Sequence, residues 1–151
     1  MRDVTSCAGL HRCIVVGVDG SPNSLAALQR AACLGRERSA GLAIVYVIPA
    51  DSSPAAETSG YELLGTSVGS IAPHGLGVPA DRVVARGDPA RKLVELSAAA
   101  ELLVIGGRIH CEHGNLLGGD VVPYCLAHAN CPVAICADQR AQARYVAAQG
   151  E

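Results

Sequence analysis

Short apolar runs alternate along the chain with segments whose apolar residues recur at helical spacing, and that alternation predicts an α/β fold. The first run is CIVVGVD, Cys13 to Asp19. In the segment after it, GSPNSLAALQRAACLG, Ser21 suits the N-cap, Pro22 suits the first helical position, and Leu25, Leu28 and Ala32 share one face. A second run, LAIVYVI, stops at Pro49. The small residues of 51–60 then read as a loop, with a short helix from Tyr61 to Ile71. DRVVAR predicts a third strand. GDPARKLVELSAAA repeats the helix-start signal, with Asp88 as cap, Pro89 next, and Leu93 and Leu96 facing inward. ELLVIGG is the fourth strand. Beyond a glycine-rich stretch, Val121, Cys125 and Leu126 make an apolar face ending near Ala129, and CPVAICA is the fifth strand.

Five strands joined by helical crossovers predict one parallel sheet with helices on both faces. A chain of 151 residues suits a single domain with a sizeable core. That domain is expected over residues 13–137, between a polar segment, 1–12, and a polar tail, 138–151. Half of the residues are apolar, yet Phe and Trp are absent. The core must therefore be built from Val, Leu, Ile, Ala and Cys, which suits strands buried on both faces.

Charge narrows the partners. A formal net charge of −2, with no basic patch or interleaved aromatics, argues against nucleic acid and against an anionic membrane surface. The segment MRDVTSCAGLHRC is too polar for the apolar core of a secretory signal, and no apolar run is long enough to span a bilayer. A cytoplasmic location is expected. The seven cysteines are odd in number and nothing marks export, so free thiols are expected. Cys33, Cys125 and Cys136 fall in apolar patterns where a thiol acts as a small hydrophobe.

The candidate chemistry lies in GGRIHCEHGNLLGGDVV, Gly106 to Val122. A phosphate-binding loop offers bare glycine amides and a hydroxyl at the start of a helix. This stretch instead has Ile109, the cluster His110, Cys111 and His113, and Asp120. Imidazole and thiolate are zinc ligands, but zinc sites assemble two separated pairs, and three candidates within four residues lack a second pair. No metal is expected. Cys111 beside histidines is a candidate reactive thiol. No dinucleotide or Walker-type glycine motif occurs, and no catalytic triad or carboxylate pair can be located.

Taken together, IVVGVDGSPNSLAAL, AIVYVI, GDPARKLVELSAAAELLVIG and LAHANCPVAIC resemble the universal stress protein family over nearly the whole chain. The resemblance implies a five-stranded parallel sheet in the order 3-2-1-4-5, a Rossmann-like α/β fold with a ligand site where strands one and four diverge. It implies a homodimer paired through the fifth strand and a stress-response role with an unidentified protein partner. Nucleotide-binding members share G-x-x-G, nine residues, then G-[ST]. Here Gly106 and Gly119 keep the spacing, while Ile109 replaces the second glycine and Asp120 the hydroxyl residue. Asp19 matches the family aspartate after strand one, and Val47 the strand-two residue whose backbone meets the adenine.

Half of a nucleotide site is thus retained. A carboxylate about 5 Å from one phosphate charge, at an effective dielectric near 20, costs roughly 3 kcal/mol, or a hundredfold in affinity. Asp120 is also a good N-cap, so it supplies the anion that a phosphate would otherwise provide. The expectation is a non-enzymatic protein without bound cofactor. The alternatives are an ATP-binding switch or slow ATPase, with Asp120 holding Mg²⁺, and a thiol or metal sensor acting through the His110–His113 loop.

Overall fold

The computed structural model describes residues 12–107 and 121–137. The elements run β1 (Cys13–Gly17), α1 (Pro22–Arg38), β2 (Gly41–Ile48), α2 (Pro54–Ile71), β3 (Ala80–Arg86), α3 (Pro89–Leu96), β4 (Leu102–Gly106), α4 (Val121–His128) and β5 (Val133–Cys136). The sheet order is β3-β2-β1-β4-β5 and every pair is parallel. Fold class, strand order and strand direction therefore match the expectation.

Because side chains alternate across a strand, each apolar run feeds both faces of the sheet. Ile14, Val16, Leu42, Ile44 and Val104 point to one face, where they pack with Ala27, Leu28 and Ala31 of α1 and Leu64 of α2. Cys13, Val15, Ala43, Val45, Leu103 and Ile105 point to the other, where they meet Leu93 of α3 and Val122 and Cys125 of α4. β1 and β4 lie inside the sheet, and their residues up to the last are buried. All four residues of the edge strand β5 are half-buried.

The starts of α1, α2 and α3 follow one local rule. Ser21, Ser53 and Asp88 are extended N-caps whose side chains accept the N–H of Ser24, Ala56 and Arg91, and each is followed by a proline. The structure corrects the reading of 51–60 as a loop, because α2 begins at Pro54 rather than Tyr61. Arg86 fixes that start, donating to the carbonyls of Ser52 and Ser53 and lying 3.9 Å from Glu57.

Two smaller expectations also change. Leu126 is 50% exposed rather than part of the inner face, which is made by Val122 and Cys125. Cys13 is disulfide-bonded, not a free thiol, whereas Cys33, Cys125, Cys131 and Cys136 are free. Among the described residues, no helix is long and apolar enough to cross a membrane.

Candidate functional site

β1 and β4 are neighbours in the sheet, but α1 leaves β1 toward one face while α3 and α4 cover the other. Their divergence opens a crevice at the carboxyl edge, where open α/β sheets hold ligands. A cleft of about 190 Å³ lies there, floored by Gly17, Val18 and Ile105 and walled by Asp19, Ser24, Val47 and Gly106, among others.

Asp19 is held by its own turn. Its Oδ1 accepts the Ser21 N–H at 2.9 Å, and its N–H donates to Ser24 Oγ at 3.2 Å. Ser24, only 5% exposed, donates its hydroxyl to the Ser21 carbonyl at 3.0 Å, so the first turn of α1 and the end of β1 form one hydrogen-bonded unit. Gly20, with φ +85°, supplies the left-handed step that a side chain would resist. Burial pushes the Asp19 carboxyl up, but hydrogen bonds from Ser21 and Ser24 outweigh it and hold the group below its ordinary 3.8. At neutral pH the cleft wall carries a carboxylate oriented to accept hydrogen bonds.

Val47 contributes its backbone. The Val45 carbonyl accepts from Val18 N–H across the β1 side, and the Ile48 carbonyl accepts from Gly87 N–H across the β3 side. Alternation therefore turns the Val47 N–H and C=O to the β1 side, where the chain has already left for Asp19. A donor and an acceptor side by side on one strand edge suit a heterocycle with complementary edge groups.

Gly106 has a packing reason for being glycine. A Cβ there would lie 2.5 Å from the Asn23 carbonyl carbon and 2.6 Å from Ser24 N, so α1 rests its first turn directly on the end of β4. A Cβ on Gly17 would meet Leu93 Cδ1 at 3.0 Å. Both strand ends are trimmed so that helices close the cleft from either face.

The structure thus brings Asp19, Val47 and Gly106 into one cleft. Sequence reasoning missed Ser24, Tyr46, Pro89 and Leu93 as lining residues. The Ser21-x-x-Ser24 spacing at a helix start was the available signal for Ser24. Ile109, His110, Cys111, His113, Gly119 and Asp120 lie outside the described residues. Among the described residues, no group of three His, Cys, Asp or Glu side chains is placed to hold a metal ion.

Fold and cleft define a Rossmann-like α/β protein with a site at the switch point of its sheet. The family model for the universal stress protein family matches residues 11–137, and the chain belongs to that family. A comparison with curated proteins gives no match. Among solved structures, the universal stress protein from Archaeoglobus fulgidus is 25% identical with a TM-score of 0.69, over 83% of this chain and 98% of that one. A universal stress protein in complex with cAMP is 26% identical, TM-score 0.65, over 84% and 97%. The Archaeoglobus fulgidus protein in complex with dAMP is 22% identical, TM-score 0.68, over 84% and 98%.

Proposed function

We propose that this protein is a non-enzymatic stress-response regulator, a homodimer paired through β5, whose cleft takes the adenosine end of an adenine nucleotide and holds ATP poorly. The observation that carries the reading is the convergence of Asp19, the Val47 backbone and Gly106 on one cleft. A similar protein binds cAMP, which shares that adenosine end. Ligand pockets for whole drug-sized molecules enclose about 300–1,000 Å³. The described part of the cleft, about 190 Å³, is of the size that a base and part of a ribose fill.

The phosphate end is tested through Ile109 and Asp120. Restoring the family pattern with Ile109→Gly and Asp120→Ser should strengthen ATP binding by about a hundredfold, most of it from the charge at Asp120. Serine also caps helices well, so the fold should be retained. Calorimetry with ATP, with and without Mg²⁺, reads the change. If the parent already binds MgATP at micromolar affinity and Asp120→Ser weakens it, the carboxylate is a metal ligand and the ATP-switch reading replaces this one.

A further inference from the structure

The described cysteines divide between the two faces of the sheet. Cys33 and Cys136 belong to the α1 side, where Arg36 Nη2 donates to Cys33 Sγ at 3.2 Å and Cys136 packs against the cluster around Leu28. Cys13, Cys125 and Cys131 belong to the apolar cluster under α3 and α4. Cys13 is disulfide-bonded, which leaves Cys125 and Cys131 as the free thiols of that cluster among the described residues.

The fold draws these two toward each other. Cys125 is wholly buried in α4, its Sγ 4.0 Å from the Ala90 carbonyl oxygen of α3. Residues 126–130 end the helix, closed by the Ala129 N–H donating to the Cys125 carbonyl at 2.9 Å, and turn the chain toward β5. The Pro132 carbonyl then accepts from Leu103 N–H at 3.0 Å, which seats Cys131 beside Leu103 in the same cluster as Cys125. Cys131 is half-buried, and the buried Ser97 hydroxyl and the Leu103 N–H stand beside its sulfur and favour its thiolate, although burial raises it overall. Burial, and then the nearness of Cys131, push the Cys125 thiol up to about 11.

We propose that Cys125 and Cys131 form an oxidation site, at which hydrogen peroxide converts the two thiols into a disulfide. Cys131, the more accessible, reacts first. Its thiolate attacks one peroxide oxygen, so that the S–O bond forms, the O–O bond breaks, and the departing hydroxide takes the thiol proton and leaves as water. Cys125 Sγ then gives up its proton and attacks the sulfenic sulfur. The S–S bond forms, the S–O bond breaks, and a second water leaves. The two thiols supply the electron pair that reduces the peroxide. Since only the thiolate attacks, the apolar surroundings slow the first step, and the site answers sustained rather than trace oxidant. The crosslink ties the end of α4 to the start of β5, the edge strand of the sheet.

Peptide mapping of the intact protein before and after exposure to hydrogen peroxide tests this, with free thiols alkylated in denaturant and each cysteine located by fragmentation. In the parent, Cys125 and Cys131 should lose alkylation together and appear as one internal disulfide, two hydrogens lighter. Dimedone, which traps sulfenic acids, should label Cys131 severalfold more in Cys125→Ser than in the parent, because the second thiol is gone. Cys131→Ser should leave Cys125 alkylatable. Circular dichroism checks that both variants are folded, and the map of the unmutated parent stands if either is not. A parent in which both thiols remain alkylatable, or in which either one pairs with a different cysteine, would overturn the proposal. Equal dimedone labelling of the parent and Cys125→Ser would do the same.

Discussion

The two faces of the sheet are built differently. One is covered by α1 and α2, of 17 and 18 residues, and its cluster holds Ile14, Leu28, Leu42, Ile44 and Leu64, each 1% exposed or less. The other is covered by α3 and α4, of eight residues each, over smaller side chains such as Ala43 and Cys125. Long helices bury more apolar area, at about 25 cal/mol per Å², so most of the stability lies on the α1/α2 face. The short helices leave room at their ends, and the α3/α4 face contributes Leu93, Pro89 and Val121 to the cleft. The division separates what holds the fold from what can adapt to a ligand.

The comparison breaks most directly by cutting one leucine from each face. Leu28 is fully buried in α1, and Leu28→Ala should cost in the upper part of the range of about 2–5 kcal/mol for such truncations. Leu93 is 4% exposed but borders the cleft, so the space left by Leu93→Ala opens to water and the loss should fall at the low end. Urea unfolding of the two variants checks the order. Equal losses would mean that the α3/α4 face is packed as completely as its opposite.

Gly106→Ala tests the seam where both faces meet the cleft. Its methyl would sit 2.5 Å from the Asn23 carbonyl carbon, so α1 must lift, at a cost of about 1–3 kcal/mol for overpacking. Lifting α1 also disturbs the Asp19–Ser21–Ser24 hydrogen bonds, so adenosine affinity should fall with stability. A variant with native melting behaviour would show that the first turn of α1 is more yielding than its bonds suggest.

Much of this was legible in the sequence, for identifiable reasons. The strands are short runs of β-branched and aliphatic residues between turn signals, and buried parallel strands leave that pattern undiluted. Asp19 and Gly106 were legible because each ends such a run. The start of α2 was misread because PAAETSG is rich in small residues and contains a glycine. Ser53-Pro54 nevertheless carries the cap-and-proline signal of Ser21-Pro22 and Asp88-Pro89. Gly60 lets the helix approach the sheet, since a Cβ would meet Val84 at 3.0 Å and Tyr46 at 3.2 Å. Leu126 was placed inward because apolar spacing fits either rotation of a helix only eight residues long. Ser24 was hidden because a serine in a first turn does not disclose which bonds bury it.

A pH effect should follow from the α3/α4 face. Burial pushes the Cys125 thiol up to about 11 from an ordinary 9.0, and the nearby Cys131 adds to the shift. A group with a raised folded-state value stabilises fully below its unfolded value and loses that contribution as pH climbs to the folded one. Stability should therefore decline between pH 9 and 11, by about 1 kcal/mol at pH 10, and Cys125→Ala should remove that part of the decline. Unfolding curves of parent and variant at pH 8 and pH 10 separate it from other alkaline losses.

The smallest expected effect belongs to Leu126, on the outer side of α4. Half-exposed, it gains little from folding, so Leu126→Ala should shift the unfolding free energy by less than about 0.5 kcal/mol in dilute solution. Its helix also carries Tyr124 and His128, whose ring centroids are 4.3 Å apart, and α4 touches β5. Among the described residues β5 is an edge strand paired on one side with β4, and such edges are usually covered. If pairing of β5 with a second copy covers that edge alone, light scattering should give a dimer mass for both parent and Leu126→Ala. A variant that falls to monomer mass while keeping its melting curve would extend the dimer surface onto α4. A monomeric parent at every concentration would remove the β5 pairing altogether, leaving the edge strand to be protected by its short length.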